Sequence, residues 1–455
     1  MRFAILLASA TIVSLGSAAL ANSVYERHVV FDNTRGTGWY LYSAGEAVAP
    51  SRIELVNGKL PLETKVTHSP PNAIRLSWTS KQGGNWWASI ETARIWGTQT
   101  DFSGDALTFW VYADSNIDAG SSPRILLGDL KGVSNPAIDL IGSLPKIPAK
   151  TWTKVVLPFA GFKGATEGTS DEKFDPGQFA RMTIVQGLDD GRPHSMVIDD
   201  VRVENAATAD ATPPAAPAAL TARGFERHVE LSWVASPSSD TESYRIYRSV
   251  GGKPFEWVAS QRVGWNRYQD FVEPVGVKPA YRITAVDAAG NESPVTPTVK
   301  AQTRAMTDDQ LMTMIQEAQF RYYWDGAHPK AGMGLEITPG NPDQVAMGGS
   351  GFGVMALIVG TDRGFVTRAQ GAERMLKIVR FLKSADRFHG VWPHFLNGNT
   401  GKVMPVFGKY DDGGDLIETA FMMQGLLTAR QYFTRDTPAE REIRDTITSL
   451  WKGVE

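Results

Sequence analysis

The chain has 455 residues, 42% of them hydrophobic and 21% charged, the balance of a folded protein long enough for two or three separate cores. Its 46 basic and 49 acidic side chains leave a formal net charge of −3, which supplies no basic field for nucleic acid or an anionic membrane and points instead to a neutral partner such as a polysaccharide. There is no cysteine, which excludes disulfides, a thiol nucleophile, a cysteine-ligated metal and a lipid-modified amino-terminal cysteine.

The first 21 residues read as a cleavable signal peptide. Arg2 precedes an apolar run from Phe3 to Leu15, and Ala19 and Ala21 stand where a signal peptidase reads small side chains. The run is shorter than the ~20 residues a helix needs to cross a bilayer, and no later stretch is long and apolar enough. A secreted or periplasmic protein without membrane insertion is expected.

Residues 22–205 alternate with period two. Ile74, Leu76 and Trp78 oppose Arg75, Ser77 and Thr79, and Leu107, Phe109 and Val111 oppose Thr108, Trp110 and Tyr112. Turn clusters separate such segments, so a two-sheet sandwich is predicted. The segments Trp152 to Phe159 and Val197 to Val203 resemble the closing strands of jelly-roll carbohydrate-binding modules. Trp86 and Trp87 follow a Gly83-Gly84-Asn85 turn. Neighbouring strand residues face opposite ways, so at most one of them is expected to be open to a sugar.

A proline- and alanine-rich run, 206–217, reads as a linker. Residues 218–303 alternate again, and their segments VELSWVASPSSDTESYRIYRS and AYRITAVDAAGNES resemble a fibronectin type III β-sandwich. In that resemblance Trp233 is the core aromatic and Tyr281 lies on a late strand.

At Thr307 the period becomes 3.6. Thr307 to Gln310, Thr367 to Gln370 and Thr437 to Glu440 are capping-box starts, the last with proline at the first helical position. Helices are predicted over Asp308 to Tyr323, Arg368 to Ala385 and Ala439 to Trp451, each with one charged face. Two others, beginning near Gly349 and Asp415, are apolar almost all round and are expected to be buried on every side. Alternation of wrapped and wrapping helices is what an (α/α) barrel requires. With five helices and no carboxyl cap at Val454-Glu455, residues 306–455 are expected to be the incomplete first part of such a barrel.

Two glycine-rich segments lead into the apolar helices: Met347 to Gly351 and Asp411 to Asp415. The first lacks the lysine and spacing of a phosphate-binding loop, and close helix packing explains it equally well. The second concentrates Asp411, Asp412, Asp415 and Glu418, with Asp415 and Glu418 on one helical face. Glycoside cleavage needs a proton donor and a second carboxylate, so these are suitable groups. Acids in a first helical turn also offset the macrodipole without any catalytic role.

The segments RYYWDGAHPKAGMGLE, GGSGFGVMALIVGTDRGFVTRAQGAERMLKIVRFLKSADRFHGVWPHFLNGNTGK and DDGGDLIETAFMMQGLLTARQYF resemble glycoamylase-like hydrolases that include endo-β-1,2-glucanases, glycoside hydrolase family 144. The resemblance implies an (α/α)6 barrel that hydrolyses β-1,2-glucan with inversion and without a cofactor or metal. It places the critical acids at Asp411, Asp415 and Glu418, with Asp412 standing where asparagine is expected. Trp324, Trp392 and Phe395 are candidate sugar-stacking residues, and Arg321, His328 and His394 candidate hydrogen-bonding partners. Trp392 and His394 lie in a loop, Asp386 to Lys402, whose glycines and asparagines suggest a barrel rim. His389 and His394 lack the i, i+4 spacing of a zinc pair. The reading is a secreted endo-β-1,2-glucanase acting by inversion, and two alternatives stand beside it: a non-catalytic polysaccharide-binding or cell-surface protein, and a hydrolase of another glucan linkage.

Overall fold

A computed structural model describes residues 28–34, 36–92, 102–162, 174–206, 210–337 and 341–454. The signal-peptide segment lies outside them. Three hydrophobic cores follow one another along the chain, two between β-sheets and one among helices.

In the first core, one antiparallel sheet runs in the order Thr153–Pro158, Ala106–Ala113, Pro193–Glu204, Ala73–Thr79, Arg52–Ile53. The opposing sheet runs Ile138–Asp139, Arg124–Asp129, Phe179–Val185, Asn85–Glu91, Ser43–Val48. The alternating residues read from the sequence meet between them: Ile74, Leu76, Leu107, Phe109 and Val111 face Trp86, Ile90, Leu127 and Ile184. Trp86 is buried and Trp87 half-buried, as the pleat requires.

The second core is a three-on-four sandwich. Ala218–Gly224, His228–Val234 and Arg267–Phe271 pack on Glu256–Arg262, Thr241–Val250, Pro279–Asp287 and Val299–Lys300. Trp233 and Tyr281 are both buried in it, and the Tyr281 hydroxyl donates to Asp270 at 2.7 Å.

Five helices build the third core: α1 (Asp308–Asp325), α2 (Met347–Asp362), α3 (Arg368–Ser384), α4 (Leu416–Tyr432) and α5 (Pro438–Lys452). Thr307 and Thr367 form complete capping boxes with Gln310 and Gln370. At Thr437 only half the box forms. Its hydroxyl accepts from the Glu440 backbone N–H, but the Glu440 carboxylate turns instead to Arg368 and to the N–H of Arg435.

α2 and α4 pack against each other, while α1, α3 and α5 lie outside them. The two inner helices run in the same direction. Gly348 meets Glu418, Gly351 meets Phe421 and Met422, and Val354 meets Gly425, so contacts advance together along both. A side chain at Gly351 would lie 2.4 Å from the Phe421 carbonyl oxygen, which makes glycine there a condition of the close crossing. The segment Met347 to Gly351 is thus the first turns of a tightly packed helix, not a loop.

The expectation that α2 and α4 are buried on every side needs correction. Phe352, Met355 and Val359 on α2, and Leu416, Ile417 and Phe421 on α4, are exposed. Each inner helix is covered on its outer flank and open on the other, because five helices wrap only part of the pair.

Candidate active site

The parallel orientation of α2 and α4 brings their amino termini to one end, and the segment 391–397 bridges them. Phe395–Asn397 pairs antiparallel with Gln344–Ala346, the short strand that feeds α2, in the register Ala346 to Phe395. The Met347 N–H then donates to the His394 carbonyl at 3.0 Å. On the other side the Asp415 N–H donates to the Trp392 carbonyl at 2.8 Å, and the Thr419 hydroxyl exchanges bonds with both backbone groups of Trp392. His394 is thereby held between the two helix starts.

The acidic residues converge on this bridge. Asp415 is the N-cap of α4. Its Oδ1 accepts from the N–H groups of Ile417 and Glu418 at 2.9 and 3.0 Å, and its Oδ2 lies 3.3 Å from His394 Nδ1. Glu418, one turn on, reaches across to α2, where its Oε2 accepts the Gly348 N–H at 2.6 Å. That N–H is one of the unpaired donors of the first turn of α2. Asp411 Oδ2 accepts from the N–H groups of Val406 and Phe407 at 3.0 and 3.1 Å and so shapes the loop ahead of α4. Asp411, Asp415 and Glu418 are all half-buried, and Asp412 is exposed. In each of the three, one carboxyl oxygen is fixed by backbone N–H groups while the other is not bonded to the backbone. Such groups are oriented by rigid elements rather than by mobile side chains.

The structure brings Asp411, Asp415, Glu418 and His394 together, and it does not bring the other candidates to them with an open ring or charge. Trp392 is fully buried, with its indole N–H on the Leu382 carbonyl at 3.2 Å, and Phe395 is buried beside it. Their loop is rim-like in composition, yet these two side chains turn into the core. His328 is buried too. Its Nδ1 accepts from the N–H groups of Lys330 and Ala331, and burial holds its pKa below the ordinary histidine value. Trp324 stacks under the Arg374 guanidinium, 4.3 Å away, and packs on Phe320. Arg321 is taken up by Glu317 at 2.7 Å and Asp325 at 3.3 Å, a cluster that faces the second sandwich through Arg223 and Arg267.

Two aromatics near the acids were not picked out from the sequence. Phe407 packs edge-on to His394 and is largely exposed, and Tyr410 is the most exposed large hydrophobic side chain among the described residues. The available signal was their position, one to four residues ahead of the acidic cluster.

Two β-sandwiches are thus followed by helices that gather carboxyl groups at one end. The resemblance to the β-1,2-glucanases of glycoside hydrolase family 144 is borne out by homology. The chain is 38% identical over 94% of its length to the exo β-1,2-glucooligosaccharide sophorohydrolase (non-reducing end) of Parabacteroides distasonis, and it spans 59% of that relative's length. The crystal structure of a β-1,2-glucanase from the same organism, also 38% identical, superposes with a TM-score of 0.82 over 94% of this chain and 60% of that one. An endo-β-1,2-glucanase from Chitinophaga pinensis is 52% identical over 33% of this chain and 37% of its own, with a TM-score of 0.32. The family Carbohydrate binding domain 30 matches residues 27–205. No helix among the described residues is long and apolar enough to cross a membrane.

Proposed function

We propose that the protein hydrolyses β-1,2-linked glucan at the amino-terminal ends of α2 and α4. The observation that carries this reading is the convergence of Asp411, Asp415 and Glu418 there, each held by backbone N–H groups, in a homologue of β-1,2-glucan hydrolases. An acetal needs one carboxyl group to protonate the leaving oxygen and another to direct water, and this site offers three that are already oriented. His394, beside Asp415, is suited to hydrogen-bond a sugar hydroxyl, and Phe407 and Tyr410 offer ring faces for a pyranose. Inversion at the anomeric carbon is the expected outcome, followed by NMR of the first-formed anomer.

The exposed apolar faces of α2 and α4 support a larger enclosure. Further helices, completing an (α/α)6 barrel, would cover Phe352, Met355, Val359 and Phe421 and close the cleft around the acids. The preceding modules fit a jelly-roll carbohydrate-binding role and a fibronectin type III spacer, and the amino-terminal leader an exported protein.

The test uses the full-length gene product with linear β-1,2-glucan, laminarin, cellulose and starch, following reducing ends. Turnover of the β-1,2-linked polymer alone is expected. Asp415→Asn and Glu418→Gln should each abolish it while cooperative unfolding persists, and full activity in both variants would refute the site. An exo mode is favoured over the endo mode by the match along 94% of the chain to an exo-acting relative. Uniform short products from the first minutes would support exo, and a broad ladder of lengths endo.

A further inference from the structure

Among the described residues, three carboxylates gather far from the helices, where the linker joins the second sandwich. Asp210 lies within the linker, Asp240 lies between the strands His228–Val234 and Thr241–Val250, and Asp287 closes Pro279–Asp287. One oxygen from each lies within 4.8 Å of the others. No lysine or arginine pairs with any of them among the described residues, although Asp287 is buried.

A second observation stands apart from the acids. Thr241 is 7% exposed, and its hydroxyl has no hydrogen-bond partner. Thr241 is directly opposite Asp287 in the antiparallel ladder, so the two side chains rise from the same face of the sheet as nearest neighbours. A buried hydroxyl left unpaired is destabilising, and here it stands beside a cluster of uncompensated negative charge. Both anomalies are relieved by one hard cation. Oxygens bound to calcium at about 2.4 Å can be at most about 4.8 Å apart, whereas magnesium, at about 2.1 Å, draws its ligands closer.

We propose that Asp210, Asp240 and Asp287, together with the Thr241 hydroxyl, bind one calcium ion that fastens the linker to the second sandwich. The Asp287 carboxylate already accepts the N–H and side-chain amide of Asn291, and Asn291 also holds the Asp210 carbonyl. The carboxyl groups are thus partly positioned before the ion arrives, and waters complete its shell.

The test titrates the EDTA-stripped full chain with Ca²⁺ and, separately, Mg²⁺ by isothermal calorimetry, with differential scanning calorimetry alongside. One Ca²⁺ per chain is expected, with weaker Mg²⁺ binding and a higher melting temperature in calcium than in EDTA. Asp240→Asn, on an exposed residue, should weaken calcium binding at least tenfold. Thr241→Val separates ligation from packing: in EDTA it should leave stability unchanged or raised, because the unpaired hydroxyl is gone, while the gain conferred by calcium shrinks. Absence of binding at about 10 mM Ca²⁺, an order above the weakest extracellular sites, would overturn the proposal. So would unchanged affinity in Asp240→Asn, or a calcium response in Thr241→Val equal to that of the native chain.

Discussion

Glu418 shows how one glycine decides where a carboxylate can stand. A β-carbon at Gly348 would lie 2.4 Å from Glu418 Oε2, so the contact between α2 and this acid exists only because residue 348 has no side chain. Gly348→Ala would push the tip of a long side chain, which can swing aside. Melting temperature should change little, while kcat/KM on β-1,2-glucan falls by about a hundredfold, the usual consequence of an ångström of misplacement. Gly351→Ala is the contrasting case. Its β-carbon would meet the Phe421 backbone, which cannot swing, so the helices must separate and stability should drop by about 1–3 kcal/mol in chemical denaturation. If Gly348→Ala lost stability as Gly351→Ala does, the glycine would serve packing alone. The acids themselves were legible in the sequence because DDGGDLIET clusters them at a helix start. The partner of Glu418 was not, since it lies 70 residues away on a helix whose approach depends on three-dimensional packing. Trp392 misled for a related reason: loop composition reports where backbone runs, not which side of it a tryptophan enters.

At the scale of elements, the starts of α1, α3 and α5 were readable from threonines that satisfy free N–H groups, whereas α2 follows Ala346 without a side-chain cap and was readable only from its apolar run. Thr367→Ala removes the hydroxyl that accepts the Gln370 N–H and should cost about 1 kcal/mol. The departure at Thr437 has a tertiary cause. Arg368, at the first turn of α3, holds the Glu440 carboxylate through two bonds of 2.9 Å and lies over the Tyr432 ring, tying the starts of α3 and α5 to the end of α4. Burial opposes the charge on Glu440, but the bonds from Arg368 and from the Arg435 N–H outweigh it and hold the carboxyl below the ordinary glutamate range. A depressed carboxyl pKa contributes stability above the unfolded value and loses it as pH falls through the folded one. Glu440→Gln should therefore destabilise by about 2 kcal/mol at pH 7, and the gap between variant and native chain should close as pH is lowered below about 4. A gap that persisted after the carboxyl had been protonated would assign the loss to shape instead of charge. Which flank of α2 and α4 stays open could not be read from their sequences, because a helix apolar on every side does not record which neighbours cover it.

Across the whole molecule, the period change at Thr307 and the proline-rich linker made the order of the three cores legible, but not the ion pairs that join them. Asp32 of the first sandwich is 5% exposed and accepts two bonds, 3.0 and 2.7 Å, from Arg262 of the second. Arg202 of the first sandwich reciprocates by pairing with Glu242 of the second. Burial resists the charge on Asp32, yet Arg262 and Arg202 together hold its pKa below the ordinary aspartate value. On the far side, Arg223 and Arg267 of the second sandwich reach Glu317 and Asp325 on α1. Bonding partners some 230 positions apart leave no pattern in a single sequence. The crossed pairs join the first two sandwiches by contacts outside the linker. Asp32→Asn removes the charge that holds the half-buried Arg262 at this seam and should cost about 2 kcal/mol. In scanning calorimetry the first sandwich should then melt ahead of the second as a separate transition, and the radius of gyration from X-ray scattering should rise. The double variant Asp32→Leu with Arg262→Met replaces the pair by apolar contact and should recover most of the stability, since a buried pair gains little over well-packed hydrophobic groups. Recovery would show that the pair's role is to specify how the sandwiches dock. A single unchanged melting transition in Asp32→Asn would mean that the two sandwiches are held together elsewhere.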